Sequence, residues 1–287
     1  MYDAGALNLR GIDVVFSCVE SDVARVLEPE FARTTPVISN ASAFRYEDDV
    51  PILVPGVNLE HARLLEIQRK RRGWAGFITP LPNCTTTGLV VTLKPLFDRF
   101  GIERVLMTSM QGISGAGRSP GVLGLDIVDN IIPYIVGEEE KVARETGKIL
   151  GRLGEGGISP ASFAVSATCT RAAVIEGHTE AVFVSLAQPA SLEEFTLCLR
   201  EFGEEFVRLG LPSAPRRMIT VHDDPFRPQP RLDRDADGGM TTHVGRIRED
   251  PAQRHGFKYI LLSHNTKMGA AKGAVLVAEY LAVEKFL

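Results

Sequence analysis

Short β-branched runs alternate with helically spaced apolar positions over residues 12 to 79, the pattern of parallel strands joined by crossover helices. Ile12 to Ser17 reads as a buried strand, Ser21 to Glu28 as a helix ended by Pro29, and Pro36 to Ser39 and Pro51 to Val54 as strands. Asn58 is placed to cap a helix reaching about Arg71, after which Trp74 to Ile78 returns as a strand. A sheet of this kind opens with a strand and a glycine-rich turn that holds pyrophosphate. Here the pattern starts at a mid-domain strand, so the reading expects an upstream segment and takes Met1 as an internal start.

After Pro82 the rhythm changes to a long helix from about Thr85 to Phe100, a strand from Arg104 to Met110 and a glycine-rich loop, which places a domain boundary near residue 80. Further strands are expected at Ser162 to Thr168, His178 to Leu186, Met218 to His222 and Phe257 to Ser263. A helix from Ser191 to Leu209 opens on the capping box Ser191-Leu-Glu-Glu194. Leu211 to Gly239 is rich in Pro, Arg and Asp and reads as a loop or an excursion over a neighbouring subunit. A helix of small residues from about Lys267 to Lys285 closes the chain and is expected to pack on the first domain.

Composition narrows the class without changing this picture. The 287 residues are 44% hydrophobic and 24% charged with a net charge of -4, a globular balance. Beyond Arg69 to Arg72 there is no basic block to serve nucleic acid or an anionic membrane. Four cysteines (Cys18, Cys84, Cys169, Cys198) form no Cys-x-x-Cys pair, and no leader pattern opens the chain, so the expectation is a reduced, cytoplasmic protein. The apolar run from Gly273 to Ala278 is broken by Glu279 and is far short of the roughly 20 residues of a membrane span.

Candidate chemistry centres on Cys84, in Pro82-Asn83-Cys84-Thr85-Thr86-Thr87-Gly88, where a strand gives way to a helix. Amides and dipole at a helix start favour thiolate, the form that attacks a carbonyl carbon; the competing reading is a small buried hydrophobe. His178 can relay a proton to a tetrahedral thiohemiacetal, and Arg171, seven residues before it, can hold a carboxylate bidentately. Gln111 precedes the loop Gly112-Ile-Ser-Gly-Ala-Gly117 and can orient a substrate carbonyl, or simply end a strand. Glu138 and Lys141 share one face of a helix running to Leu150, where they can meet an ammonium and a phosphate, although acidic residues also suit a first turn for the dipole alone. Arg45, in the polar loop Ser39 to Arg45, either binds phosphate or is solvated. His61, His222, His243, His255 and His264 show no metal-ligand spacing, and no metal is expected.

Six ordered segments carry a resemblance that extends over nearly the whole chain: SNASAFR (39 to 45), PNCTTTGLVVTLKPL (82 to 96), QGISGAGR (111 to 118), EEEKVARETGKILG (138 to 151), RAAVIEGHTEAVFV (171 to 184) and HNTKMGAAKGAVLVAEYL (264 to 281). Together they resemble the aspartate-semialdehyde dehydrogenase family, in its archaeal and fungal-like branch. The resemblance implies an α/β fold: a truncated doubly wound dinucleotide-binding domain (residues 1–80 and 266–287) plus an α+β catalytic and dimerisation domain of the glyceraldehyde-phosphate-dehydrogenase-like type (81–265). It implies Cys84 as the acylated nucleophile, His178 as acid/base, Gln111 as orienting amide, Arg171 as the anchor for the substrate carboxylate and Glu138 as the partner of its amine. Lys141, Arg45 and Asn83 would form the phosphate pocket; Ser17, Ser114, Gly115, Ala116, Gly117 and Asn265 would face the cofactor. It further implies NADP as cofactor, small-molecule substrate and phosphate as partners, and a homodimer or homotetramer.

The departures from the family pattern are as specific as the matches. Its N-terminal G-x-x-G-x-x-G strand, turn and helix have no counterpart here, and Lys267-Met268 and Lys272 stand where the family pattern has Arg and Gly. Two alternatives follow: a related acyl-phosphate or acyl-CoA reductase, against which Arg171 and Glu138 argue, and a catalytically silent subunit without the pyrophosphate cradle.

Overall fold

A computed structural model describes residues 4–116, 123–154 and 156–287. The first strand is β1 (Val15–Ser17), followed by α1 (Ser21–Ala32), β2 (Val37–Ser39), α2 (Leu64–Arg72) and β3 (Ile78–Pro80). These strands form a parallel three-stranded sheet in the order β1-β2-β3. Next come α3 (Cys84–Phe100), β4 (Ile102–Gln111), the one-turn α4 (Leu123–Asp126), β5 (Ile131–Ile132) and α5 (Glu138–Ile149). A small antiparallel pair, β6 (Arg152–Gly154) and β7 (Gly157–Ser159), precedes the long strands β8 (Ala164–Ala172) and β9 (His178–Leu186). The rest of the chain is α6 (Leu192–Arg200), α7 (Glu204–Val207), β10 (Ile219–Val221), α8 (Pro230–Asp233), β11 (Thr242–Glu249), β12 (Gly256–Ser263) and α9 (Lys272–Val283).

The second sheet has the order β10-β11-β12-β9-β4-β8-β5 and is mixed, because β4 pairs parallel with β8 but antiparallel with β9. One face carries α3, α5 and α6. Strict period-two alternation shows which face that is: along β9, His178, Glu180, Val182 and Val184 are buried while the residues between them are only partly so. The aliphatic face of α3, with Leu89, Val90, Leu93 and Leu96 fully buried, lies over this layer in the main core. A second core joins Ile38, Leu65, Phe77 and Leu81 to Ala274, Val277 and Leu281, so α9 does return to the first sheet as its small-residue pattern suggests.

Several elements differ from the sequence reading. Pro29 lies inside α1, and the helix continues to Ala32. Pro51 to Val54 is buried but unpaired chain rather than strand. Asn58 does not cap α2; its side chain instead accepts from the Val54 amide and donates to the Ile52 carbonyl, bracing that same segment. The strand expected from Trp74 begins only at Ile78. Ser191 forms its capping box, but the helix it starts stops at Arg200, and Gly203 in the left-handed region (φ 80) separates α6 from α7. The excursion after Leu211 holds α8 in addition to the expected strand, seen as β10, and it leads into β11, which the charged pattern Arg246 to Glu249 conceals. The final helix opens with a π-turn, Lys267–Ala271. Among the described residues no helix is long and apolar enough to cross a membrane.

Gly88 sets how closely α3 approaches β12, because a Cβ there would stand 2.8 Å from the Ser263 Cβ. Gly88→Ala is expected to cost about 1–3 kcal/mol by overpacking and to shift the start of α3. Urea denaturation checks the first effect; Cys84 reactivity checks the second.

Candidate active site

Asn83 starts α3 because its side-chain oxygen accepts from the Thr85 and Thr86 amides, at 2.9 and 3.3 Å. This cap makes Cys84 the first residue of the helix and aims its thiol at the ends of the central strands. The Cys84 Sγ lies 3.2 Å from His178 Nε2. On the other side of the ring, the Gly112 amide donates to Nδ1 at 3.1 Å. A backbone N–H can only donate, so the neutral imidazole carries its proton on Nε2, facing the sulfur. Burial pushes His178 down to about 3, with Arg171 and His264 adding to that direction and a backbone contact at Gly177 opposing it.

The thiol differs from the expectation for a helix start. Burial first, then the Glu138 carboxylate, push Cys84 up to about 12, against the Thr85 amide, Arg45 and Arg171. Cys84 is therefore a thiol hydrogen-bonded by a neutral histidine, since desolvation outweighs the helix-start amides.

The strand register assembles the remaining groups. Gln111 pairs with Arg171 on one side and His178 on the other, so the three lie level at the ends of adjacent strands. Arg171 is buried and donates to the Gly112 carbonyl at 2.9 Å. Gln111 is also buried, and its amide turns back to donate to Ser109 Oγ at 3.1 Å. Over this row passes the loop Ile113–Ala116, where a Cβ on Gly115 would stand 3.0 Å from an Arg171 nitrogen and 3.1 Å from the His178 ring. The Asn265 amide fastens the loop, donating to Ser114 Oγ at 2.9 Å while its oxygen accepts from the Gly177 amide at 2.8 Å.

Helix α5 supplies the opposite wall. Glu138 accepts from the Asn83 side chain at 2.9 Å and from Thr85 Oγ1 at 3.4 Å. Two turns on, buried Glu145 accepts from the Asn83 amide at 2.6 Å and from the Arg45 guanidinium at 2.9 Å. Burial pushes Glu145 up, while Arg45 and the Asn83 amide pull it down. Arg45 is thus not solvated: it also donates to the Leu81 and Asn40 carbonyls. Lys141 is half-buried and has no hydrogen bond or ion pair among the described residues.

A cavity of about 520 Å³ connects these groups. Its wall includes Arg45, Asn83, Cys84, Gly115, Ala116, Glu138, Lys141 and Arg171, together with Val19 to Ser21 and Asn40 to Ser42 from the first sheet. His178, Gln111, Ser114 and Asn265 stand behind that wall. Ser17 is buried at the end of β1 beside the Glu28 carboxyl, which burial pushes up and the Ser17 and Ser39 hydroxyls pull down. Gly117 lies outside the described residues.

Two residues escaped the sequence reading. Glu145 lies seven positions after Glu138 on the same helical face, a spacing that was available as a signal. Gly269 gave none: the π-turn, closed by Gly269 N–H to His264 O and Ala271 N–H to Thr266 O at 3.0 Å each, brings it against Cys84, from whose Cβ a Cβ on Gly269 would stand 3.0 Å.

Known proteins resemble this chain. The family model "Semialdehyde dehydrogenase, dimerisation domain" matches residues 93–268, and "Semialdehyde dehydrogenase, NAD binding domain" matches residues 3–65. The aspartate-semialdehyde dehydrogenase of Archaeoglobus fulgidus is 50% identical over 276 residues, 96% of this chain and 78% of that protein. The chain belongs to the aspartate-semialdehyde dehydrogenase family. The Methanothermobacter thermautotrophicus aspartate-semialdehyde dehydrogenase is 48% identical over 270 residues, 94% of this chain and 78% of that protein. A crystal structure of aspartate-semialdehyde dehydrogenase with NADP from Candida albicans superposes with a TM-score of 0.87 at 45% identity, covering 96% of this chain and 79% of that one. The family architecture of a Rossmann-like parallel sheet beside a glyceraldehyde-phosphate-dehydrogenase-like dimerisation domain is the one seen here.

Alkylation of Cys84, read on its own peptide because Cys18 is exposed, is expected to accelerate about tenfold per pH unit from pH 7 to 9 without a plateau. Glu138→Gln removes a charge that holds the proton on sulfur and is expected to raise the rate at every pH. For Glu145→Gln, which leaves Arg45 buried without its counter-charge, a loss of about 3 kcal/mol is expected in chemical denaturation.

Proposed function

We propose that this chain carries the aspartate-semialdehyde dehydrogenase reaction: reductive dephosphorylation of L-4-aspartyl phosphate to L-aspartate 4-semialdehyde through a Cys84 thioester, a step in biosynthesis of lysine, threonine and methionine. The observation that supports it best is the 3.2 Å Cys84–His178 contact at the wall of a cavity that also presents Arg171, Glu138 and Lys141. Arg171 suits the substrate carboxylate, Glu138 its ammonium and Lys141 the leaving phosphate, with Arg45 and Asn83 beside it. Those charges favour a free amino acid side over an acetylated amine or a coenzyme A thioester.

The Cys84 sulfur attacks the acyl carbon, the bond to the phosphate oxygen breaks, and inorganic phosphate departs toward Lys141. The thiol proton passes to an oxygen of the departing phosphate, which leaves as hydrogen phosphate while the sulfur keeps the acyl group. The Nε2–H of His178 donates to the oxyanion that forms on the same carbon, and Gln111 orients the carbonyl. A nicotinamide cofactor, when bound, supplies the hydride that takes the thioester to the aldehyde. The residues at its reactive end fit such a group: Gly115 passes over the Arg171–His178 pair with backbone alone, and Ala116 lines the cavity beside it. Ser114, Gly115, Ala116, Gly117 and Asn265 would hold the nicotinamide side, with Ser17 toward the first sheet. NADP is the reading favoured by the Candida albicans relative.

Residues 1–80 with 266–287 would form the nucleotide-binding part and 81–265 the catalytic and dimerisation part, in a cytoplasmic homodimer or homotetramer. The sheet face opposite α3 supports the oligomer, since Leu106 there is 40% exposed and the alternate residues of β4 and β8 are open.

The acylation half-reaction needs no cofactor and tests the nucleophile directly. Mixing the chain with aspartyl phosphate is expected to release one phosphate per active site in a burst and to leave a hydroxylamine-sensitive adduct on the Cys84 peptide. Cys84→Ser is expected to slow the burst roughly a thousandfold or more; an undiminished burst overturns the assignment.

A further inference from the structure

Two histidines 21 positions apart meet at the far edge of the large sheet. His222 follows β10, His243 lies in β11, and the parallel pairing of those strands stacks the rings with centroids 5.1 Å apart. His222 Nε2 and His243 Nδ1 are separated by 2.9 Å. Asp233, at the end of α8, turns a carboxylate oxygen toward the same point, 3.9 Å from His222 Nε2. The three ligand atoms all lie within 4.8 Å of one another.

We propose that His222, His243 and Asp233 form a binding site for a borderline divalent transition-metal ion of the zinc or cobalt type. Two imidazole nitrogens and one carboxylate oxygen are the donor set such ions take. In a tetrahedral site with bonds of ~2.0–2.1 Å the ligand atoms stand about 3.3 Å apart, between the observed 2.9 and 3.9 Å. Small side-chain movements would bring these two pairs to that spacing. Burial lowers the pKa of both histidines and so keeps them in the neutral form that coordinates metal.

The surroundings are organised in the same sense. Asp233 and His243 are only 2% and 3% exposed, so the carboxylate and one imidazole are already desolvated and fixed. Arg227 grips both oxygens of Asp233, Nε on Oδ2 and Nη2 on Oδ1, and the Gln229 amide donates to Oδ2 at 2.6 Å, which fixes the carboxylate with Oδ1 on the His222 side. His222 lines a cavity of about 370 Å³, together with Asp223, Val221 and Arg248, which supplies both an entry route and room for a water ligand. The negative field of Asp223 and Asp224 acts on His222 and offsets Arg227.

The ion would tie α8 to the sheet edge. Helix α8 in turn backs the loop before His178: Pro230 and Arg234 are the atoms a Cβ on Gly177 would meet at 3.6 and 3.5 Å, and Arg234 donates to the Glu176 carbonyl. Metal at this edge would thus steady the backing of the catalytic histidine without touching substrate.

Cobalt(II) titration of the full chain tests this, in untagged protein stripped with chelator and carrying Cys84→Ser so that the active-site thiol offers no competing ligand. One equivalent is expected to bind with visible d–d bands, without sulfur-to-cobalt charge transfer, and to raise the Tm. In the same background His222→Gln, at a partly exposed position, is expected to leave the metal-free Tm nearly unchanged and to weaken cobalt binding at least tenfold. No binding by the parent, or equal binding by parent and His222→Gln, overturns the proposal; so does a charge-transfer band showing cysteine ligation instead.

Discussion

The geometry of Cys84 depends on one buried carboxylate. Glu145 receives the Asn83 amide on one oxygen and the Arg45 guanidinium on the other, so the residue that starts α3 and the loop that follows β2 are fixed to the same point on α5. Burying that charge is unfavourable, and its raised pKa records the cost. What the arrangement secures is register: with Asn83 held, the helix must begin at Cys84, and the cavity between the two sheets has a defined wall. Glu138 on the same helix then adds a second tie to Asn83, from the side where an ammonium would bind.

The long elements were legible because each is dominated by a single strong pattern. α3 is a long helix with a mostly apolar run from Leu89 to Leu93, β9 alternates cleanly, and α5 opens on three glutamates. Failures cluster where a local signal meets a tertiary demand. Pro29 was read as a stop, yet its missing N–H is tolerated inside α1. Pro51 to Val54 has strand composition, but Asn58 satisfies its backbone in place of a neighbouring strand. β11 carries alternating charges because its far half leaves the core.

The site divides in the same way. Cys84, Glu138, Lys141 and Arg171 stand out by residue type and spacing, and they line one cavity. What sequence does not carry is the balance of forces at each group. A helix start suggests an acidified thiol, whereas the closed pocket and Glu138 together reverse the sign. Arg45 likewise has the chemistry of a surface anion receptor, and only the fold reveals that three of its donors are spent inside.

The hydrogen bond from the Gly112 amide to His178 has a consequence for heredity as well as for chemistry. Its donor belongs to the main chain, so the bond depends on no side chain at that position, although a Cβ on Gly112 would stand 3.0 Å from the Gly177 carbonyl oxygen and press on the turn. The choice of which ring nitrogen bears the proton is consequently a property of the loop's path and not of a codon. Lineages can rewrite the surrounding residues while inheriting the same tautomer, provided the strand end and the turn after it keep their course.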